Sequence, residues 1–368
     1  LNILTFCDFF KIRFGQKAEI FSAILIVPSY FSWITAQFVA MGVLIQIIAG
    51  TTLMQGIILG SILVMLYTIM GGMWSVSITD FLHNIILIIG LAILAYLVFE
   101  SAGGFSKVIS KTSTGFFRPI PVDFSIKSWT NYLFAWITIG LGSIPQQDVF
   151  QRVMSAKNEK VAMKSSITAG FLYITVALLP LFIGLAATQI YPELLKGDQK
   201  MLILNMVMKF TNPLMQVLFF GALISAIMST SSGAILAPAS VIGENLIKPF
   251  FPKISDKSLL FWIRISVVLV TIICILMASK RQNIYELVGE SSAFSLVSLF
   301  IPMVAGLKWK RANASGCILS MVAGWLFWFY FYLFPTDYPA SLFGLIAGLI
   351  GLILGTLIGE RYPKPQVN

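Results

Sequence analysis

Residues 20–79 contain no Asp, Glu, Lys or Arg, and residues 210–243 are equally free of charge. Uncharged apolar runs of about 18 residues or more cross membranes as helices, because in hydrocarbon every backbone N–H and C=O must be satisfied within the segment. Only 11% of the 368 residues are charged and 58% are hydrophobic, against roughly 25% charged in soluble domains. An ordinary soluble domain is therefore excluded. A membrane β-barrel is excluded too, since its strands would alternate apolar with polar residues. The expected class is all-α, a polytopic membrane helix bundle.

Apolar blocks between punctuating residues mark about ten spans, at 18–47, 52–70, 76–99, 129–145, 166–190, 213–243, 259–279, 285–307, 313–334 and 338–358. The first and sixth are longer than a hydrocarbon core of roughly 30 Å requires at 1.5 Å per residue, so each should tilt, kink or continue beyond the membrane. Pro28 is a natural kink in the first. The organisation expected is an N-terminal segment 1–17, one transmembrane domain 18–358 and a tail 359–368. An even number of spans places both ends on one side. With 1–17, 146–164, 246–258, 308–312 and the tail on that side, it holds fifteen of the 25 basic residues; the other side holds nine, and Arg264 falls within a span. The richer side is expected in the cytoplasm, in a plasma (cell inner) membrane. A net charge of +10 then reflects topology and implies no nucleic-acid partner. Cys7, Cys274 and Cys317 match no metal or redox spacing and read as apolar fillers. The chain starts at Leu1 with no cleavable-signal pattern.

The densest polar cluster within a span is Ser225, Ser229, Thr230, Ser231 and Ser232. On a helix Ala226, Ser229 and Thr230 stand at i, i+3 and i+4, so a carbonyl and two hydroxyls share one face. Uncharged oxygens suit a hard monovalent cation such as Na+, because they replace part of its hydration shell without trapping it. The competing reading is that these hydroxyls bond back to the preceding turn or join helices. Asp80 stands at the rim of the third span, where a costly buried charge would be functional, although Ser77, Thr79 or Asp80 could equally cap that helix. His83, the one histidine, lies a turn further on.

Segment 142–157 combines Pro145, Gln146 and Gln147 with Asp148 and Arg152 at i and i+4. The ion pair reads as a structural clamp, and the amides as groups facing a polar path at a broken helix end. Glu286 and Glu290, again i and i+4, could attract cations or be interfacial. There is no GxxxxGK[ST] loop and no HExxH, which argues against an ATP-driven pump or an intramembrane protease, and no enzyme is expected.

Four segments, GGMWSVSITDFLHNIILIIG, PQQDVFQRVMSAKNEKVA, GALISAIMSTSSGAILAPASVIGENLIK and FIPMVAGLKWKRANASG, resemble the sodium:solute symporter family in order and spacing. LTFCDFFKIRFG resembles the cytoplasmic segment before that family's third core helix. The resemblance implies a core of two inverted five-helix repeats that binds solute and ion near the midplane at broken helices. It implies a Na+ site at Ser229, Thr230 and the Ala226 carbonyl, an ion pathway at Asp80, and a polar position near the solute at Gln147, with Gln146 beside it. The family's first two core helices have no counterpart here and are expected before Leu1. Gly142 and Ser143 replace the aromatic pair of the sugar transporters, so a sugar is not expected.

The function expected is Na+-coupled symport of a small organic solute, whether amino acid, carboxylate or quaternary amine, by alternating access. The alternative is a transport-inactive membrane protein that keeps the fold as a structural component.

Overall fold

The computed structural model describes residues 3–70, 73–195 and 199–359, with backbone alone at 73–80 and 194–195. Among the described residues fifteen α-helices follow one another: α1 Phe6–Phe14, α2 Gln16–Ala49, α3 Leu53–Met70, α4 Met73–Ser101, α5 Phe105–Lys111, α6 Ile126–Gly142, α7 Gln147–Met154, α8 Glu159–Ile190, α9 Leu202–Phe210, α10 Pro213–Val241, α11 Asp256–Ala278, α12 Ile284–Ser295, α13 Ile301–Lys308, α14 Ala314–Leu333 and α15 Ala340–Ile358. No strand occurs among the described residues.

Nine helices among the described residues are long and apolar enough to cross a membrane. They correspond to the expected spans except 129–145, where α6 is 17 residues long and ends at Gly142. Pro145 follows, and the chain resumes as the short α7. The expected tail falls almost wholly outside the described residues.

Local sequence explains the helix ends. The side chains of Asn158, Ser255, Asn283 and Asn313 each accept a backbone N–H three residues on, from Val161, Ser258, Glu286 and Gly316. Residues 1–17 are more than a polar leader into the first span. Thr5 opens α1 with a capping box, and Phe6, Cys7, Phe10 and Phe14 are buried. Two helices pass through a π turn, at Ile242–Ile247 after α10 and at Leu296–Phe300 between α12 and α13. The second is followed by Pro302, whose missing N–H breaks the i→i−4 ladder there.

The chain divides into two compact units, with the division falling inside α2 and α10. The first unit comprises 1–36, 120–155 and 233–368. In it α14 and α15 pack backbone to backbone: a Cβ added to Gly355 would stand 2.7 Å from the Ser315 carbonyl oxygen. Close approach through small residues is how membrane helices gain packing without a hydrophobic drive between them. Phe6 meets Phe150 of α7 at 5.8 Å between ring centroids. Arg13 donates to the Gly306 and Trp309 carbonyls at 3.0 and 3.1 Å, closing the C-terminus of α13.

The second unit comprises 37–119 and 156–232. Phe105 joins Phe99 and Phe182 at centroid distances of 5.2 and 5.5 Å, and Gln189 of α8 donates to the Val108 carbonyl of α5 at 2.9 Å. Helix α4 meets α10 where Gly90 receives the Phe219 ring. In both units large apolar side chains stay exposed, such as Leu276 at 63% and Leu357 at 77% in the first and Ile174 at 70% in the second. In water such a surface would aggregate, whereas in a bilayer it faces lipid.

All three cysteines are free and buried. Burial pushes the Cys7 thiol far above its ordinary range, so it carries no thiolate at neutral pH. Maleimide should label none of the three in the native protein and all three after denaturation. Rapid labelling of Cys7 in the folded protein would show that α1 is not packed as described.

Candidate functional site

The hydroxyl-rich stretch of α10 is one continuous helix, so the expected i, i+3, i+4 face of Ala226, Ser229 and Thr230 is present. All three lie in the second unit. Ser229 is 6% exposed and Ser231 fully buried. Ser231 donates its hydroxyl to the Ile227 carbonyl at 2.6 Å, the back-bonding expected of a membrane serine. The Ala226 carbonyl has a second lone pair beyond its helical bond.

Asp80 falls on α4, where only the backbone is described, so its side chain lies outside the described residues. His83, a turn later, is half-buried.

The break between α6 and α7 lies in the first unit and separates the two adjacent amides in role. Gln147 is fully buried. Its Oε1 accepts the Phe6 N–H at 2.5 Å, and its Nε2 reaches the Leu4 carbonyl at 3.5 Å. The amide thus holds the start of α1. Gln146 caps α7 through its backbone, makes no side-chain cap bond and is half-buried. Asp148 does more than the expected clamp. Arg152 reaches its Oδ2 at 3.2 Å, while the buried Tyr30 hydroxyl donates to Oδ1 at 2.6 Å and accepts the Asp148 N–H at 2.9 Å. This ties α2 to α7.

Gly142 meets α12 so closely that a Cβ would stand 2.1 Å from the Ser292 carbonyl oxygen. A larger residue at that position has no space, which is a physical reason for glycine there. The two acids of α12 divide in role. Glu286 accepts from Asn283 at 2.8 Å in the helix cap. Glu290 accepts from Ser32 of α2 at 2.7 Å and from Arg281 at 2.6 Å. The Glu290 carboxylate holds the Arg281 proton more firmly than usual.

One polar centre escaped the sequence reading. Asn245, on the π turn after α10, is 1% exposed, and Glu19 at the start of α2 is 0% exposed. Asn245 Nδ2 donates to Glu19 Oε1 at 2.9 Å and to Asp8 Oδ1 at 3.0 Å, while its Oδ1 accepts the Thr5 hydroxyl at 2.7 Å. Lys11 reaches Glu19 at 3.1 Å from a half-exposed position. The signals were faint: a T-x-x-D capping spacing at Thr5, and an acid and an amide standing just outside the two uncharged runs.

The family model for "Sodium:solute symporter family" matches residues 1–324. The osmoregulated proline transporter OpuE of Bacillus subtilis (strain 168) is 30% identical over 88% of this chain and 67% of its own length. A sodium/proline symporter of Staphylococcus aureus (strain bovine RF122 / ET3-1) is 29% identical over 97% of this chain and 72% of its own. A solved Na+-coupled sialic acid symporter in a substrate-bound outward-open state superposes with TM-score 0.77 at 17% identity, covering 98% of this chain and 78% of that one. The fold is that of a symporter, Na+ is the coupling ion, and the protein is a multi-pass membrane transporter and not an enzyme. With the family model matching most of its length, this chain belongs to the sodium:solute symporter family.

Proposed function

We propose that the protein couples Na+ entry to uptake of a small neutral amino acid of the proline type across a plasma membrane, with both ends of the chain in the cytoplasm. The observation that carries the solute class is the sequence similarity to transporters named for proline. Carboxylates and quaternary amines are the competing solutes. The fifteen-to-nine distribution of basic residues supports the orientation.

Na+ sits on the face formed by the Ala226 carbonyl and the Ser229 and Thr230 hydroxyls, and leaves past Asp80. A spatial argument supports pairing these positions. With the broken span at α6 counted as the fourth crossing, α4 is the third and α10 the sixth, so they run in opposite directions, and they touch at Gly90 and Phe219. Asp80 is ten residues before Gly90 and Ser229 ten after Phe219. At 1.5 Å per residue both are then about 15 Å from the contact in the same direction, at one depth. Gln146 contributes a polar group beside the solute, and Gln147 positions the segment. Coupling requires that Na+ bind the two conformations with different free energy. One charge moving through 100 mV supplies about 2.3 kcal/mol, enough for a roughly 50-fold gradient.

The test is uptake of labelled proline with Na+ varied, in competition with choline and pantothenate. Ser229→Ala combined with Thr230→Ala should raise the Na+ concentration for half-maximal uptake by at least about tenfold, a loss of some 1.4 kcal/mol. An unchanged Na+ dependence would remove the site assignment. Absence of Na+-dependent uptake for every solute class would favour the transport-inactive alternative.

A further inference from the structure

A cavity of about 890 Å³ opens on the hairpin between the π turn after α10 and the start of α11, within the first unit. Its walls are Ile247, Phe250, Phe251, Ile254 and Trp262. Phe250 and Phe251 remain 66% and 64% exposed. Two spans end here, at Ile247 and from Asp256, so the groove lies at the level where hydrocarbon gives way to headgroups, the position that amphipathic aromatic side chains favour. Its size falls in the upper part of the roughly 300–1,000 Å³ range of ligand clefts.

Charge decides what fills it. Lys253 is the one charged residue lining the groove, beside Ser258. Lys257 stands nearby on the first turn of α11, and both lysines are exposed. Neither makes an ion pair among the described residues, whereas Lys248 is bound to Glu244 at 2.6 Å. Asp256 is the remaining acid on the hairpin; it is exposed and does not line the groove. The N-terminus of the 23-residue α11, capped by Ser255, adds a partial positive charge at the same rim.

We propose that this groove is a binding site for one anionic phospholipid, whose acyl chain lies along the Phe250/Phe251/Trp262 wall and whose phosphate meets Lys253 and Lys257. A zwitterionic phospholipid would bring its own ammonium group against the two lysines and lose the gain. Each lysine near an anionic headgroup contributes about 1 kcal/mol, a preference of roughly fivefold.

Trp262 reports on the site. The protein is reconstituted in mixed micelles with dibrominated phosphatidylglycerol or dibrominated phosphatidylcholine, and quenching is read as the difference between the wild type and Trp262→Phe, which removes the other seven tryptophans. Phosphatidylglycerol should quench Trp262 at a mole fraction at least about fivefold lower than phosphatidylcholine, and the difference should shrink in high salt. Lys253→Gln with Lys257→Gln should abolish the preference and leave quenching by phosphatidylcholine unchanged, which shows the groove intact. Equal quenching by the two lipids in the wild type, or a preference that survives the double substitution, overturns the proposal.

Discussion

Asn245→Leu is expected to destabilise the protein by about 3–5 kcal/mol, measured by equilibrium unfolding in mixed micelles. The substitution removes no large apolar contact. It withdraws both N–H donors that separate the Asp8 and Glu19 carboxylates, at 3.0 and 2.9 Å, and the acceptor of the Thr5 hydroxyl at 2.7 Å. A buried charge deprived of its partner costs several kcal/mol because water cannot replace the lost bond. Lys11 offsets only part of this, since its side chain is 51% exposed and an exposed ion pair is weak. Adding Glu19→Gln to the Asn245→Leu protein should recover part of the loss, because a neutral amide is cheaper to leave under-bonded than a carboxylate. A double-mutant cycle isolates that coupling. A destabilisation below about 1 kcal/mol for Asn245→Leu would mean that the cluster is not closed in the membrane-embedded protein.

Gly142→Val is expected to be nearly as damaging, about 3 kcal/mol, and Gly142→Ala to cost between about 1 and 3 kcal/mol. The added Cβ meets the Ser292 carbonyl oxygen at 2.1 Å and its carbon at 2.8 Å. Both are backbone atoms of α12, so no side chain can swing aside and one helix must move away from the other. The same measurement checks it, with Gly140→Ala as the comparison: Gly140 lies two residues earlier on α6 and a Cβ there meets nothing within 4 Å. If the two alanine variants unfold alike, α6 and α12 do not touch at Gly142.

The contrast between these positions shows what could be read in advance. The spans were legible because an uncharged run longer than a bilayer leaves one conformation open to it. The break after α6 was legible from Pro145, and the Ala226, Ser229, Thr230 face from helical spacing alone. Each is a local property, set by the 3.6-residue turn or by hydropathy within one segment. Gln147 shows the limit of that reasoning. Its neighbour Gln146 is the same residue in the same break, yet one amide is buried against the backbone of α1 and the other is half-buried without a side-chain cap bond.

By itself the sequence determined an all-α membrane protein, the place of nearly every span, the symporter family and a candidate Na+ face. Only the tertiary structure decided that Asn245 binds Thr5, 240 residues away, that Glu290 is shared by Ser32 and Arg281, and that Gly142 is a contact point between helices. The physical reason is that periodicity fixes which side chains share a face of one helix, whereas which face meets which neighbour depends on packing among helices distant in sequence. A π turn adds to this, since its extra residue rotates everything beyond it out of the register that helical spacing assumes, and Asn245 lies on such a turn.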